Sequence, residues 1–185
     1  MRILAAILIA MPLPALADDI CHDLWFTRNL IMDRAGYCFG SVLGKSAFDN
    51  TDCTGKSVSL ASADTEMVAR IRASEKELAC KVDTGQSVLD LEDADFRRAL
   101  TDLPLRSPFE SACIGWLGDR VPLKAGHRAD ERTVGEILPG DLIGYAFEPV
   151  GSWQYVTVTD RAWRFKSAGW VDMDSIQERC EQVAG

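Results

Sequence analysis

Six cysteines lie downstream of an apolar leader in this chain, and together they limit what it can fold into. Arg2 gives a short positive start, Ile3 to Pro12 is an apolar run, and Ala15-Leu16-Ala17 is the small-residue pattern that a signal peptidase cleft accepts. Cleavage after Ala17 would start the chain at Asp18-Asp19. The run is shorter than the roughly 20 residues a bilayer core requires, and Pro12 and Pro14 interrupt it. The pattern therefore predicts a signal peptide over residues 1–17 rather than an anchor. No cysteine stands at the cleavage point, which argues against a lipid-anchored form, and no later segment is apolar enough to span. The expectation is a periplasmic or secreted protein with no membrane span.

Export changes how the cysteines read. Cys21, Cys38, Cys53, Cys80, Cys113 and Cys180 would all survive leader removal, and an even count in an oxidising compartment points to disulfides. A zinc site needs ligand pairs sharing one turn, but there is no Cys-x-x-Cys and the only histidines are His22 and His127. No metal and no cofactor are expected. A net charge of -8 and a pI near 4.8 leave no field to draw in nucleic acid, so that partner class is set aside. Six cysteines permit fifteen pairings, and composition does not choose among them.

Architecture narrows the choice. Residues 18–80 read as a small helical unit. Leu24, Arg28, Ile31 and Ala35 lie at helical spacing, and Gly36 marks the stop. A short helical turn is expected around Ala47 and Phe48, and then a helix capped by Ser62 with Met67, Ile71 and Leu78 on one face. Residues 81–112 read as a packed connector with a turn at Asp83-Thr84-Gly85 and a short helix near Asp93 to Leu100, with Pro104 and Pro108 breaking any continuation. From residue 113 to 180 the pattern turns to β. Short runs occur at Val121–Lys124, Val134–Leu138, Leu142–Phe147, Trp153–Thr159 and Gly169–Asp172, with turn residues between them, and residues 181–185 are left as a tail. Five closely spaced strands suggest a small closed barrel, so the expected class is α+β. The expected disulfides are Cys38 with Cys53 across the first loop, Cys21 with Cys80 across the ends of two antiparallel helices, and Cys113 with Cys180 around the barrel.

Two resemblances follow from these residues. Arg28-Asn29-Leu30-Ile31 and Arg34-Ala35-Gly36-Tyr37-Cys38-Phe39 look like the opening of the YARHG domain, a helical module of exported bacterial proteins, with Met32, Asp33 and Ala35 replacing the Tyr, Ala and His of its name. Phe48 and the Met67 to Leu78 helix fit the rest of it. Further on, Leu123-Lys124-Ala125-Gly126, Val134 to Asp141, Gly151-Ser152-Trp153-Gln154-Tyr155-Val156 and Gly169-Trp170-Val171 follow the motif order of the bacterial SH3-like domain. The departures are an extended Asp160 to Lys166 loop carrying Trp163, and His127 where that family usually has Pro. The combination resembles an exported alphaproteobacterial family that joins the two modules.

The resemblance implies a non-catalytic binding or scaffold protein that engages cell-wall peptide or glycan, or a periplasmic protein, through the SH3-like barrel. Aromatic rings lining a groove would serve such a role, because they offer large contact area at low entropic cost. The candidates are Trp153, Tyr155, Trp163 and Trp170, with Trp163 favoured because a loop-tip Trp has no packing reason to be there. Trp116 is expected to seal the barrel against the connector. Two other readings stand beside this one. Lys81 to Ser87 contains an Asp-Thr-Gly turn like that of retropepsin-like aspartic proteases, with Asp83 as the acid, but the glycine-rich flap of such enzymes is missing and Leu142 to Gly144 belongs to the barrel pattern. Inhibition of a periplasmic enzyme also fits a small stapled protein. The Gly-Lys-Ser triplets at Gly44 and Gly55 lack the upstream glycine of a phosphate loop. The acidic run Asp90, Glu92, Asp93, Asp95 lacks the central glycine of a calcium loop and reads as a solvated helix start. Oligomeric state has no sequence signature here.

Overall fold

The computed structural model of the chain describes residues 15–177 and 179–185, so residues 1–14 of the expected leader lie outside the described residues. The chain is α+β, with a disulfide-linked helical region followed by an antiparallel sheet. Its helices are α1 (Ala15–Arg34), α2 (Val42–Ala47), α3 (Ser62–Glu77) and α4 (Ala94–Arg98). The strands are β1 (Arg106–Trp116), β2 (Val121–Lys124), β3 (Thr133–Ile137), β4 (Leu142–Phe147), β5 (Trp153–Thr159), β6 (Phe165–Asp172) and β7 (Cys180–Ala184).

α1 is the central helix of the first region and is buried along two stripes. Leu24 and Ile31, two turns apart, pack on Val68 and Ile71 of α3 and on Leu105. Trp25, Phe26 and Leu30 form the second stripe against Phe39, Leu43 and Phe48. Cys21 is bonded to Cys80 and Arg28 pairs with Glu75 at 3.0 Å, so α1 and α3 run antiparallel. Gly36 ends the helix at φ +85°, where a Cβ would stand 2.8 Å from Thr54 Oγ1, so glycine is required twice over. The following loop is closed by Cys38–Cys53 and held by Asn50, whose side-chain amide donates to the Phe39 carbonyl and accepts from the Phe39 N–H, both at 2.9 Å. In α3 the expected details shift. Ser62 is the first helical residue and Ala61 holds the cap position without a side-chain bond, while Val68 and Ile71 are buried and Leu78 is exposed. One narrow stripe against α1 leaves no cover for a residue at the helix end.

The sheet corrects the expected five-stranded closed barrel. Seven strands pair in the order β3-β2-β6-β5-β4-β1-β7, and the outer strands β3 and β7 do not pair with each other, so the sheet is open. β1 was hidden by Pro108. The residue is tolerated because the ladder with β4 jumps from Arg106↔Phe147 to Ser111↔Tyr145, so residues 107–110 leave the pairing and proline withholds no needed donor. β7 occupies the expected tail, pairing with β1 through Ala112↔Ala184 and Trp116↔Cys180. Its short, exposed residues carry no alternation that the sequence could reveal. The third disulfide, Cys113–Cys180, fastens this edge strand to β1.

The sheet is buried on both faces. Cys113, Trp116, Leu123, Ile137, Ile143, Val156 and Val158 form one core. Trp116 therefore lies inside the sheet's own core, donating Nε1–H to the Asp119 carbonyl at 2.8 Å, rather than against the connector. On the other face Phe147, Tyr155, Ala168 and Trp170 meet Leu100, Phe96 and Leu103 from the segment around α4. That segment caps part of the face.

Candidate functional site

On β5, Tyr155, Thr157 and Thr159 point to the same face of the sheet. The α4 segment covers Tyr155, but past its edge the face opens into a cleft of about 670 Å³. Ala112, Gly144 and Thr157, direct neighbours across β1, β4 and β5, lie along its floor. These are small residues for a reason. A Cβ at position 144 would stand 2.7 Å from Thr157 Oγ1, so glycine keeps the floor level.

The inner end of the cleft is a buried charge network that joins the helices to the sheet. Arg97 of α4 is 1% exposed and donates Nε–H to Asp93 Oδ2 at 2.8 Å, Nη1–H to Thr27 Oγ1 at 3.1 Å, and Nη2–H to Asp23 of α1. Arg106 of β1 donates Nε–H to the other oxygen of Asp23 at 2.8 Å, Nη1–H to the Ala146 carbonyl at 2.6 Å, and Nη2–H to Glu110. Both guanidiniums lie over the Phe147 ring, at 5.0 and 5.5 Å from its centroid. The Tyr155 hydroxyl donates to Asp93 Oδ2 at 2.9 Å. Burial alone would push the Arg97 guanidinium down, but the Asp23 and Asp93 carboxylates hold it above its ordinary range, so it stays charged. Burial and the Asp93 carboxylate push the Tyr155 phenol well up, so it stays a donor. Asp93 Oδ1 is buried and has no partner among the described residues. A buried acceptor left open in this way is uncommon in folded proteins.

The outer rim is built by the β5–β6 hairpin and by the segment ahead of α4. Asp160 shapes the hairpin turn. Its Oδ1 accepts from the Ala162 and Arg164 N–H groups at 2.8 and 3.1 Å, and its carbonyl accepts from the Trp163 N–H at 2.9 Å. The side-chain bond from Arg164 is the main cause holding the Asp160 carboxyl below its ordinary range. This turn holds Trp163 at φ +61°, a left-handed conformation costly for a bulky residue, with 68% of its surface exposed. The hairpin loop is shorter than expected, because Phe165 and Lys166 already belong to β6. Asp90 and Glu92 line the cleft from the other element, exposed and without an ion pair among the described residues.

The four aromatic candidates do not share one groove. Trp163 lines the cleft. Trp153 is half-buried and borders a separate hollow of about 340 Å³ with Arg120, Pro122 and Ile176. Tyr155 and Trp170 are buried in the core, where the Trp170 Nε1–H donates to the Asp102 carbonyl at 2.8 Å, so neither ring reaches the surface. Asp83 is exposed, and its Oδ1 accepts from the Gly85 N–H at 2.9 Å within its own turn. Leu142 to Gly144 lie in β4. Sequence reasoning missed Asp23, Asp93, Arg97 and Arg106. The four-residue spacing of Asp93 and Arg97 was a visible signal, but it reads equally well as a solvated pair. Asp23 and Arg106 carry none, since their partners are distant in sequence.

Among the described residues no group of His, Cys, Asp and Glu is placed to hold a metal ion, and no helix is long and apolar enough to cross a membrane. The three disulfides point to an oxidising compartment outside the cytoplasm. The chain has no match among curated proteins or solved structures. Its first part, residues 1–76, matches the YARHG domain, the module resembled by the Arg28 to Phe39 segment. Cys21 and Asp23 in that part are bonded to Cys80, Arg97 and Arg106 in the remainder, which is itself more than half of the chain. Residues 79–185 match the family described as a domain of unknown function (DUF4453), and the chain belongs to that family.

Proposed function

We propose that this chain is a non-catalytic binding protein of the periplasm, exported by a cleaved signal peptide, and that its C-terminal sheet works as an SH3-like module engaging the peptide of the cell wall. The SH3-like reading rests on motif order. Val134 to Asp141, Gly151 to Val156 and Gly169 to Val171 fall on or beside β3, β5 and β6 in the sequence that such modules use. One observation carries the binding reading: Trp163 is held exposed, in a strained left-handed conformation, on the rim of a cleft floored by small residues. An exposed Trp in a costly backbone state is retained where it contacts something else. The cleft volume of about 670 Å³ suits an extended peptide of a few residues.

Retention on purified peptidoglycan sacculi tests the reading. The protein is expected to co-sediment with sacculi, and Trp163→Ala to weaken retention about tenfold, as for a Trp at the centre of a contact. Retention no greater than that of an unrelated acidic protein would sink the proposal.

A further inference from the structure

We infer that the cleft is a receptor for a primary ammonium group carried on its ligand. The inference rests on the binding reading above and adds the chemistry that selects the ligand. Of the residues lining the cleft, Asp23, Asp90, Glu92, Asp93 and Glu110 are acidic, and only Arg97 and Arg106 are basic. Both arginines are committed. Arg97 is shared between Asp23 and Asp93, and Arg106 between Asp23 and Glu110. Asp90 and Glu92 are left over at the rim, exposed and uncompensated among the described residues. The lining therefore carries an excess of negative charge, which attracts a cation and repels an anion.

The independent observation is Asp93 Oδ1. This oxygen belongs to a residue that lines the cleft and is 3% exposed, yet it has no hydrogen-bond partner among the described residues. A ligand donor would satisfy it. Its partner oxygen, Oδ2, is already taken by Arg97 and by the Tyr155 hydroxyl, so Asp93 has one oxygen to offer. A single free acceptor suits the point-like ammonium, whereas a guanidinium gains most where a carboxylate offers both oxygens to its fork. Trp163, supplied by a different element of the rim, adds a ring face of the kind that stabilises a cation.

The test uses the full chain, native sacculi, and sacculi whose free amino groups have been acetylated. Acetylation removes the ammonium and leaves the peptide in place, so retention of the wild type is expected to fall about tenfold or more. The double variant Asp90→Asn, Glu92→Gln alters only exposed residues and is expected to keep its melting temperature. Its binding to native sacculi should fall about fivefold, and its response to acetylation should be blunted. If the wild type binds native and acetylated sacculi equally well, the ammonium inference is overturned while the binding reading survives. An undiminished acetylation response in the double variant would place the ammonium contact away from the Asp90 and Glu92 rim of this cleft, again overturning the inference alone. No retention on either preparation overturns the binding reading and this inference with it.

Discussion

The helical region and the sheet solve the problem of a small core in different ways. The helical region has two clusters separated by α1, and it ties its chain with Cys38–Cys53 and Cys21–Cys80, which enclose 15 and 59 residues of sequence separation. The sheet instead buries residues on both faces and carries one disulfide, Cys113–Cys180, at its edge. The helical region relies on covalent closure, and the sheet on packing plus a lid. That lid is α4, and the charges of Arg97 and Arg106 against Asp23 fix it to both partners. The cleft is thus a product of the junction: the sheet supplies the floor, and the incomplete lid supplies one wall.

Asp23→Ala is the strongest way to break this arrangement. It leaves Arg97 and Arg106 buried without their shared carboxylate, and removal of one partner from a buried pair costs about 3–5 kcal/mol. The expected outcome is a large fall in urea midpoint, with hydrogen exchange accelerated in both α1 and β1. Acceleration confined to α1 would show that the network is not what joins the regions.

The disulfides sharpen the contrast. By loop-closure entropy, removing Cys113–Cys180 should cost about 4 kcal/mol and removing Cys38–Cys53 about 3 kcal/mol. The distribution of damage is more informative than the totals. Loss of Cys113–Cys180 should release β7 first, because that strand pairs on one side only, while loss of Cys38–Cys53 should loosen the packing of Phe39 on Phe48, whose rings lie 4.7 Å apart. Near-ultraviolet circular dichroism and exchange protection in each double alanine variant would distinguish these outcomes. Equal loosening of both regions in either variant would mean that they fold as one unit.

Trp163 separates stability from function. Trp163→Gly relieves a left-handed conformation that costs about 1–3 kcal/mol and removes little buried surface, so the melting temperature should hold or rise slightly. Retention on sacculi should weaken about tenfold, as for Trp163→Ala. A variant that melts earlier would show that the indole is part of the packing and not a contact for a ligand.

Much of this organisation was legible in the residues. Strands β2, β4 and β5 appear where alternation and turn residues place them, and the three disulfides join the pairs that the order of elements suggests. What escaped notice has physical causes. Pro108 disguised β1, since a proline excludes a regular ladder but not a bulge. The motif aromatics Tyr155 and Trp170 look like ligand residues because a ring serves a core and a groove equally well. The acidic stretch before α4 looked solvated because burial of Asp93 depends on Arg97, Tyr155 and, through Arg97, on Asp23 seventy residues earlier. The exposure of Trp163 was legible because its loop interrupts the strand pattern.

The smallest expected effect lies in the helical region and concerns like charges gathered by its disulfide loop. Asp33 stands in the last turn of α1, where the helix dipole already disfavours a carboxylate. Partial burial, first, and the nearby Asp52 and Asp49 carboxylates raise its pKa from the ordinary 3.8, against the opposing pull of Arg98 and Arg34. A carboxyl raised on folding favours the folded state only while it is protonated. Its contribution is therefore intact below the unfolded value and is lost as pH rises through the raised folded value. At neutral pH the ionised Asp33 is a small liability. Asp33→Asn should raise the melting temperature slightly at pH 7, and the gain should shrink on acidification and vanish below the unfolded value, where the wild-type carboxyl is neutral in both states. No counterpart is expected for Asp160 in the sheet region, whose carboxyl is lowered by the side-chain bond from Arg164. Its stabilisation is present above the unfolded value and is lost on acidification, so Asp160→Asn should destabilise at neutral pH. Melting curves of the two variants from pH 3 to 7 should thus diverge in opposite directions from the wild type. Parallel curves would remove electrostatics from the comparison and leave covalent closure against packing as the whole difference between the two regions.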